Sequence, residues 1–136
     1  MADVTKWVLT LSCPDRPGIV AAVAGALAAL QGNITESQQF GDSDSGLFFM
    51  RVEVEADVER EAIAGALGSV AQSFEMTWNL DVVGRPLRTV VMVSTASHCL
   101  HDLAYQQHSG RLPIDVVAVV SNHTALTDIA GFYNLP

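Results

Sequence analysis

Three segments of this sequence alternate apolar and polar residues, and this alternation constrains the fold more than any other feature. A segment with this two-residue period forms a strand that buries one face only. Strands of this kind build an antiparallel sheet that helices cover on a single side. The apolar members are Trp7, Leu9 and Leu11 in the first segment, Phe48, Met50, Val52 and Val54 in the second, and Met76, Trp78, Leu80 and Val82 in the third.

Two helical segments lie between these strands. The first ends at Gly32-Asn33, the second covers residues 58–74, and residues 34–41 between them have the polar pattern of an edge strand. The order β-α-β-β-α-β predicts an α+β ferredoxin-like fold with one uncovered sheet face, which favours pairing with another chain or domain. The apolar stripes of the helices are Ile19, Val20, Val23, Leu27 and Leu30, and Ile63, Leu67, Val70 and Phe74.

The segment SCPDRPGIV joins the first strand to the first helix. Pro17 has the backbone angle of a helix start, and Gly18 leaves the first helical amides accessible. Those amides lack partners within the helix and can bind a carboxylate, while Asp15 could hold an ammonium group. The alternative is that Asp15 only caps the helix and Arg16 is solvated.

Asp15-Arg16-Pro17-Gly18-Ile19-Val20, followed by a helix that ends at Gly32-Asn33-Ile34, resembles the ACT domain over residues 5–84. The resemblance implies a regulatory domain, residues 1–84, that forms homo-oligomers. It also implies that a small amino acid such as glycine or methionine binds at a dimer interface. The effector-binding positions that it implies are Asp15, Arg16, Pro17, Gly18, Ile19, Asn33 and Ile34.

The composition changes after Gly84-Arg85-Pro86, so residues 85–136 are predicted to form a second unit. Residues 89–93 and 114–120 are continuous apolar runs, typical of parallel strands buried on both faces. Between them we expect a helix with Ser97 as its N-cap and Gly110 at its end, and we expect another helix at residues 124–132. This is the opening βαβ of a parallel α/β domain, and its strands require more cover than the sequence contains. We therefore expect an incomplete domain.

Two motif tests apply to the second unit. The loop STASHCLHD has no glycine, which disfavours a dinucleotide turn or a phosphate-binding loop. His98, Cys99, His101 and Asp102 are close in sequence but make a weak ligand set, so we predict no metal site. His123 ends a buried strand, where α/β folds place ligands, although a turn role is the expected one.

The stretch from SHCLHDL through GRLPIDVVAVVSNHTAL resembles formyltetrahydrofolate deformylase, above all at residues 112–115 and at Ser121-Asn122-His123. The resemblance implies hydrolysis of 10-formyltetrahydrofolate, in one-carbon and purine metabolism, by a formyltransferase-like domain. The family's catalytic Asn, His and Asp lie further along. The resemblance therefore implies no catalytic residue and no bound cofactor in this chain, which we expect to be inactive by itself.

Two alternatives stay open. One is a free-standing ACT-type module for amino-acid sensing or dimerisation. The other is a formyltransferase that uses an amine as acceptor, which the glycine-free loop disfavours.

The charge distribution restricts the partners. The formal net charge is −8, and residues 1–84 hold 12 acidic against 4 basic side chains. Such a surface repels phosphate backbones, so we expect no nucleic-acid partner. The sequence has no signal-peptide core and no run of about 18 apolar residues, so we expect no membrane association. Cys13 and Cys99 do not form a paired motif, which favours a reduced cytoplasmic location.

Overall fold

The computed structural model describes residues 4–136, and the chain divides into two units at Val83 and Gly84. The first unit has the predicted order of elements, which confirms the ferredoxin-like fold. Its sheet is fully antiparallel with the strand order β2-β3-β1-β4, so β2 is an edge strand as predicted. The elements are β1 (Thr5–Pro14), α1 (Ile19–Ala29), β2 (Asn33–Asp42), β3 (Leu47–Ala56), α2 (Arg60–Phe74) and β4 (Thr77–Val82).

The core of this unit lies between one face of the sheet and the two helices. Leu9 at its centre is opposite Val52 on one side and Leu80 on the other, so the three alternating segments turn the same face to the core. Val82, at the end of the third segment, is 39% exposed, so the predicted burial is wrong at this residue. The prediction for α1 is wrong at Val20, which is 39% exposed. The buried stripe of α1 is Ile19, Val23 and Leu27, and Val20 lies about 100° from Ile19 around the helix axis.

The other face of the sheet carries rows of cross-strand neighbours that point away from this core. The first row contains Phe40, Phe49, Ser12 and Thr77, and the second contains Gln38, Arg51, Thr10 and Asn79. Charged side chains dominate the next two rows, which are Glu36, Glu53, Val8 and Asp81, and then Asn33, Glu55 and Lys6. We call this surface the open face.

The second unit pairs β5 (Leu87–Val93) and β6 (Ile114–Ser121) in parallel, with α3 (His98–His108) as the crossover and α4 (Thr127–Phe132) after β6. The strand-helix-strand order is as predicted. Ser97 precedes α3 but makes no side-chain capping hydrogen bond, and the last helix begins at Thr127 instead of residue 124.

The small core of this unit covers one side of its two strands and contains Val91, Leu100, Val116 and Leu126. On the other side Val90, Met92 and Val120 are exposed, Met92 by 83%. Residues that were predicted to be buried on both faces are therefore buried on one face in this structure. Within residues 4–136, no helix has the length and apolar character needed to span a membrane.

Candidate effector site at the first strand-helix corner

The turn between β1 and α1, residues 15–18, forms the corner at which the sequence predicts effector binding. Its backbone is fixed to the β2–β3 turn, because the amide of Asp15 donates to the carbonyl of Gly46 over 2.9 Å. The Asp15 carboxylate points at β2, since a Cβ placed on Gly41 would lie 3.3 Å from Asp15 Oδ2. Asp15 therefore lies at the junction of β1, α1 and the end of β2.

The start of α1 differs from the prediction in one respect. Pro17 and Gly18 form a turn before the helix, so Pro17 does not occupy its first position. Gly18 is the N-cap residue with a φ of 95°, a left-handed conformation that favours glycine. No side chain caps the helix there, and Asp15 therefore does not act as the cap. The first amides of α1 keep their capacity to bind an anion.

Arg16 is exposed, as one reading of the sequence expected, but its side chain also contacts the second helix. Its guanidinium carbon lies 4.3 Å from the centroid of the Phe74 ring, and it donates a hydrogen bond to the carbonyl of Ser73. Both partners belong to the last turn of α2. Arg16 therefore links the corner to the end of the second helix, where the carbonyl groups attract a cation.

A second acidic residue, Asp42, lies at the same end of the sheet as the corner. Asp42 ends β2 and accepts hydrogen bonds from the hydroxyl of Ser45 and the amide of Asp44. These bonds hold the pKa of Asp42 below its ordinary value, the hydroxyl contributing most. Asp42 and Pro14 are both opposite Leu47 in the sheet, so Asp42 and Asp15 lie at the same end of it. The local charge favours a cationic group such as an ammonium.

Asn33 and Ile34, the other predicted effector positions, lie at the opposite end of the sheet. Asn33 is opposite Glu55, whereas the corner is level with Leu47, eight residues along the same strand. At about 3.4 Å per residue this separates the two sets by about 27 Å within one chain. Asn33 instead lines a shallow groove of about 430 Å³ with Val4 and Gln31. One chain brings together Asp15 to Ile19 but not Asn33 and Ile34.

Sequence reasoning missed a charged network on the open face. Glu53 is only 7% exposed, yet its carboxylate lies 2.9 Å from Lys6 Nζ and 2.6 Å from an Arg51 guanidinium nitrogen. Arg51 also reaches Glu36 at 3.4 Å. The hydrogen bonds from Lys6 and then Arg51 lower the pKa of the Glu53 carboxyl, and the bond to Glu53 raises the pKa of Lys6. The alternation of Arg51, Glu53 and Glu55 along β3 was the available signal.

The chemistry-bearing residues of the second unit do not converge. His101 Nδ1 lies 3.4 Å from the Tyr133 hydroxyl, and Cys99 is exposed. Among residues 4–136 no group of three or more His, Cys, Asp or Glu side chains is arranged to hold a metal ion. The backbone amide of His123 donates to Ser121 Oγ over 3.0 Å, as in a turn. His123 also borders a groove of about 390 Å³ beside α4.

Known proteins resemble both units. The ACT domain family matches residues 7–72. The formyltetrahydrofolate deformylase of Corynebacterium sp. is 38% identical to this chain, and the match covers 99% of this chain and 48% of the relative. The deformylase of Bacillus subtilis is also 38% identical, over 96% of this chain and 45% of the relative. The crystal structure of the Burkholderia mallei deformylase superposes with a TM-score of 0.89 at 36% identity, over 97% of this chain and 47% of that protein.

The chain thus spans about half the length of the curated relatives it matches. The match to these relatives covers both units, whereas the ACT domain match lies within the first. Over nearly all of its residues, this chain is similar to the formyltetrahydrofolate deformylases, and its residues 7–72 match the ACT domain family.

Proposed function

We propose that this chain works as part of a formyltetrahydrofolate deformylase, which hydrolyses 10-formyltetrahydrofolate to formate and tetrahydrofolate. The observation that carries the proposal is its similarity to deformylases across both units, 36% identical with a TM-score of 0.89 over 97% of the chain. We place the protein in the cytoplasm, which agrees with two free cysteines, Cys13 and Cys99.

In this proposal the second unit opens a formyltransferase-like hydrolase domain. Its parallel pair β5 and β6 presents an apolar surface that includes Val90 and Met92, as expected for strands that further elements cover. The loop after β5 has no glycine to approach a phosphate closely, which favours water over a phosphate-bearing amine as the formyl acceptor. The water-activating carboxylate and the oxyanion donors would come from residues outside this chain.

The first unit would be the regulatory domain, with a small amino acid such as glycine or methionine as effector. The free amides at the start of α1 would receive its carboxylate, and Asp15 would receive its ammonium group. Asn33 and Ile34 could join this site only from a second copy. Antiparallel pairing of two β2 edges would place Asn33 of one copy beside Asp42 of the other, at the end that carries Asp15.

An activity assay tests the enzyme assignment. The product of the whole gene, from start to stop codon, is purified beside the 136-residue chain, and formate release from 10-formyltetrahydrofolate is measured for both. We expect release by the gene product and none by the 136-residue chain. A gene product without activity that binds glycine or methionine would instead support the free-standing ACT-type module.

Calorimetry with glycine and methionine tests the effector site. We expect heat of binding from the wild-type chain and a loss of at least tenfold in affinity for Asp15→Asn, which keeps the size of the side chain but removes its charge. Asp128→Asn, in the second unit, is the matched control and should bind as the wild type does. Equal affinities for all three proteins would remove Asp15 from the site.

A further inference from the structure

We infer that the contact between Arg16 and Phe74 is an autoinhibitory contact of the effector corner, which must open before Arg16 can bind the carboxylate of an effector. The inference deepens the regulatory role proposed for the first unit and rests on the effector site proposed there. It depends only on contacts within one chain.

The end of α2 holds the guanidinium group of Arg16. The guanidinium carbon lies 4.3 Å from the centroid of the Phe74 ring, and one guanidinium nitrogen donates a hydrogen bond to the carbonyl of Ser73. A carboxylate at the corner would compete for the same planar group, because a guanidinium binds a carboxylate through two adjacent N–H donors. Arg16 can therefore form its full set of bonds to the carboxylate only if it leaves the end of α2.

The Phe74 ring also borders the start of α1. Gly18 is the N-cap of this helix, and a Cβ placed on Gly18 would lie 3.8 Å from Phe74 Cζ. The ring thus lies beside the residue that precedes the free amides of α1. A carboxylate that approaches these amides from the side of α2 meets the ring first, so the Arg16–Phe74 contact closes one approach to the corner.

The charge of Arg16 makes this contact reversible. The side chain is exposed, and within residues 4–136 it forms no ion pair with an acidic residue. An exposed cation–π contact is weak, whereas a hydrogen bond between a guanidinium and a carboxylate is among the strong ones. A bound carboxylate can therefore displace the ring of Phe74 as the partner of Arg16.

The position of Phe74 in the chain gives this exchange a consequence. Phe74 is the last residue of α2, and Glu75 and Met76 connect it to β4, which ends at Val82 beside the boundary between the two units. The release of Arg16 removes a contact from the end of α2. An effector at the corner therefore loosens the segment that leads into the second unit.

Calorimetric titration of glycine into the 136-residue chain tests the inference. Phe74→Leu keeps an apolar side chain at the end of α2 but removes the ring, and it should bind glycine about two- to fivefold more tightly. Arg16→Ala should bind about tenfold more weakly, because the loss of a charged hydrogen bond exceeds the gain from opening the contact. Phe132→Leu, the same change in the second unit, is the matched control and should bind as the wild type does.

The sign of the Phe74→Leu effect separates this role from a structural one. If Phe74 only supported the corner, its replacement would weaken binding or leave it unchanged, and either result would overturn the inference. Arg16→Ala with the wild-type affinity would also overturn it. Nuclear magnetic resonance gives a second readout, because the ring current of Phe74 shifts the side-chain proton signals of Arg16. Saturating glycine should remove this shift, and signals that do not move would contradict the exchange.

The same titrations distinguish failure of this inference from failure of the effector site. Equal affinities of wild type and Phe74→Leu, together with weaker binding by Asp15→Asn, would overturn the inference and leave the site in place. No binding of glycine by any of these proteins would overturn both. Neither outcome bears on formate release by the gene product, which tests the enzyme assignment separately.

Discussion

The guanidinium carbon of Arg16 lies 4.3 Å above the centre of the Phe74 ring, a contact between residues 58 positions apart in the chain. It joins the corner after β1 to the last turn of α2. The Ser73 carbonyl that Arg16 also binds is one of the groups that a helix leaves without internal partners at its end. The corner is therefore held from two sides, by Arg16 on α2 and by the bond between Asp15 and Gly46 on the β2–β3 turn.

Replacing Arg16 should loosen this corner. We expect Arg16→Ala to lower the free energy of unfolding by about 0.5–1 kcal/mol, as for an exposed cation–π contact. Arg16→Lys should lose less, because it keeps the charge but not the planar stacking. Urea unfolding followed by tryptophan fluorescence measures this, since Trp7 and Trp78 both lie in the first unit. Identical midpoints for the three proteins would show that the contact contributes nothing.

The stability of the first unit should fall in acid because of Glu53. Lys6 and Arg51 hold the pKa of its carboxyl below the ordinary value of 4.5, so the unfolded chain takes up this proton first as the pH falls. The contribution of the ion pairs is fully present above pH 4.5 and is lost as the pH falls through the lowered pKa. Glu53→Gln should therefore make the free energy of unfolding less dependent on pH below 4.5.

Glu55→Gln is the control for this effect, because Glu55 lies on the same strand and the same face. It should keep the acid-dependent loss of stability that the wild type shows. Urea unfolding at a series of pH values between 3 and 7 compares the three proteins. The assignment fails if the slopes of wild type and Glu53→Gln coincide.

Gly32 should tolerate no side chain. A Cβ at this position would lie 2.9 Å from the carbonyl oxygen of Leu27 and 2.9 Å from a methyl group of Val54. We expect Gly32→Ala to destabilise the unit by about 1–3 kcal/mol, the range for overpacking. Gly25→Ala is the matched control in α1, where nothing lies within 4 Å, and it should stabilise the helix by about 0.5–1 kcal/mol. Thermal unfolding of both variants should shift in opposite directions.

The two cysteines should differ in reactivity. Cys13 is 2% exposed, and burial, assisted by the nearby charge of Asp15, raises the pKa of its thiol. Cys99 is exposed on α3. Titration with a chromogenic disulfide at pH 8 should modify one thiol per native chain and two per unfolded chain. Cys99→Ser should abolish the fast reaction, and rapid modification of that variant would contradict the burial of Cys13.

The strands and their buried face could be predicted from the sequence, because a strand that buries one face alternates apolar and polar residues. Leu9, Val52 and Leu80 meet in the core since each lies at the centre of an alternating segment. The buried stripe of α1 was harder to predict. Spacing alone admits Val20 as well as Ile19, and only the packing of α1 against the sheet shows that Ile19 is buried and Val20 is exposed.

The candidate site was harder to predict because its contacts depend on tertiary structure and register. The sequence identifies Asp15 and Arg16 as unusual residues, but nothing local indicates that Arg16 reaches Phe74. Likewise, Lys6 meets Glu53 only because β1 and β3 pair in one register, in which Lys6 is opposite Glu55 and diagonal to Glu53. The 27 Å separation of Asn33 from the corner also follows from the register in which β2 and β1 pair with β3.

Met92 provides a test of the proposal that β5 and β6 belong to a larger sheet. In the 136-residue chain Met92 is 83% exposed, so Met92→Glu should change its stability by less than about 0.5 kcal/mol. If further elements cover this face in the gene product, the same substitution buries a charge there and should cost several kcal/mol. Arg88→Glu, on an exposed residue of the same strand, is the control. Thermal unfolding of both variants in both proteins makes the comparison, and a Met92→Glu gene product as stable as its parent would contradict the larger sheet.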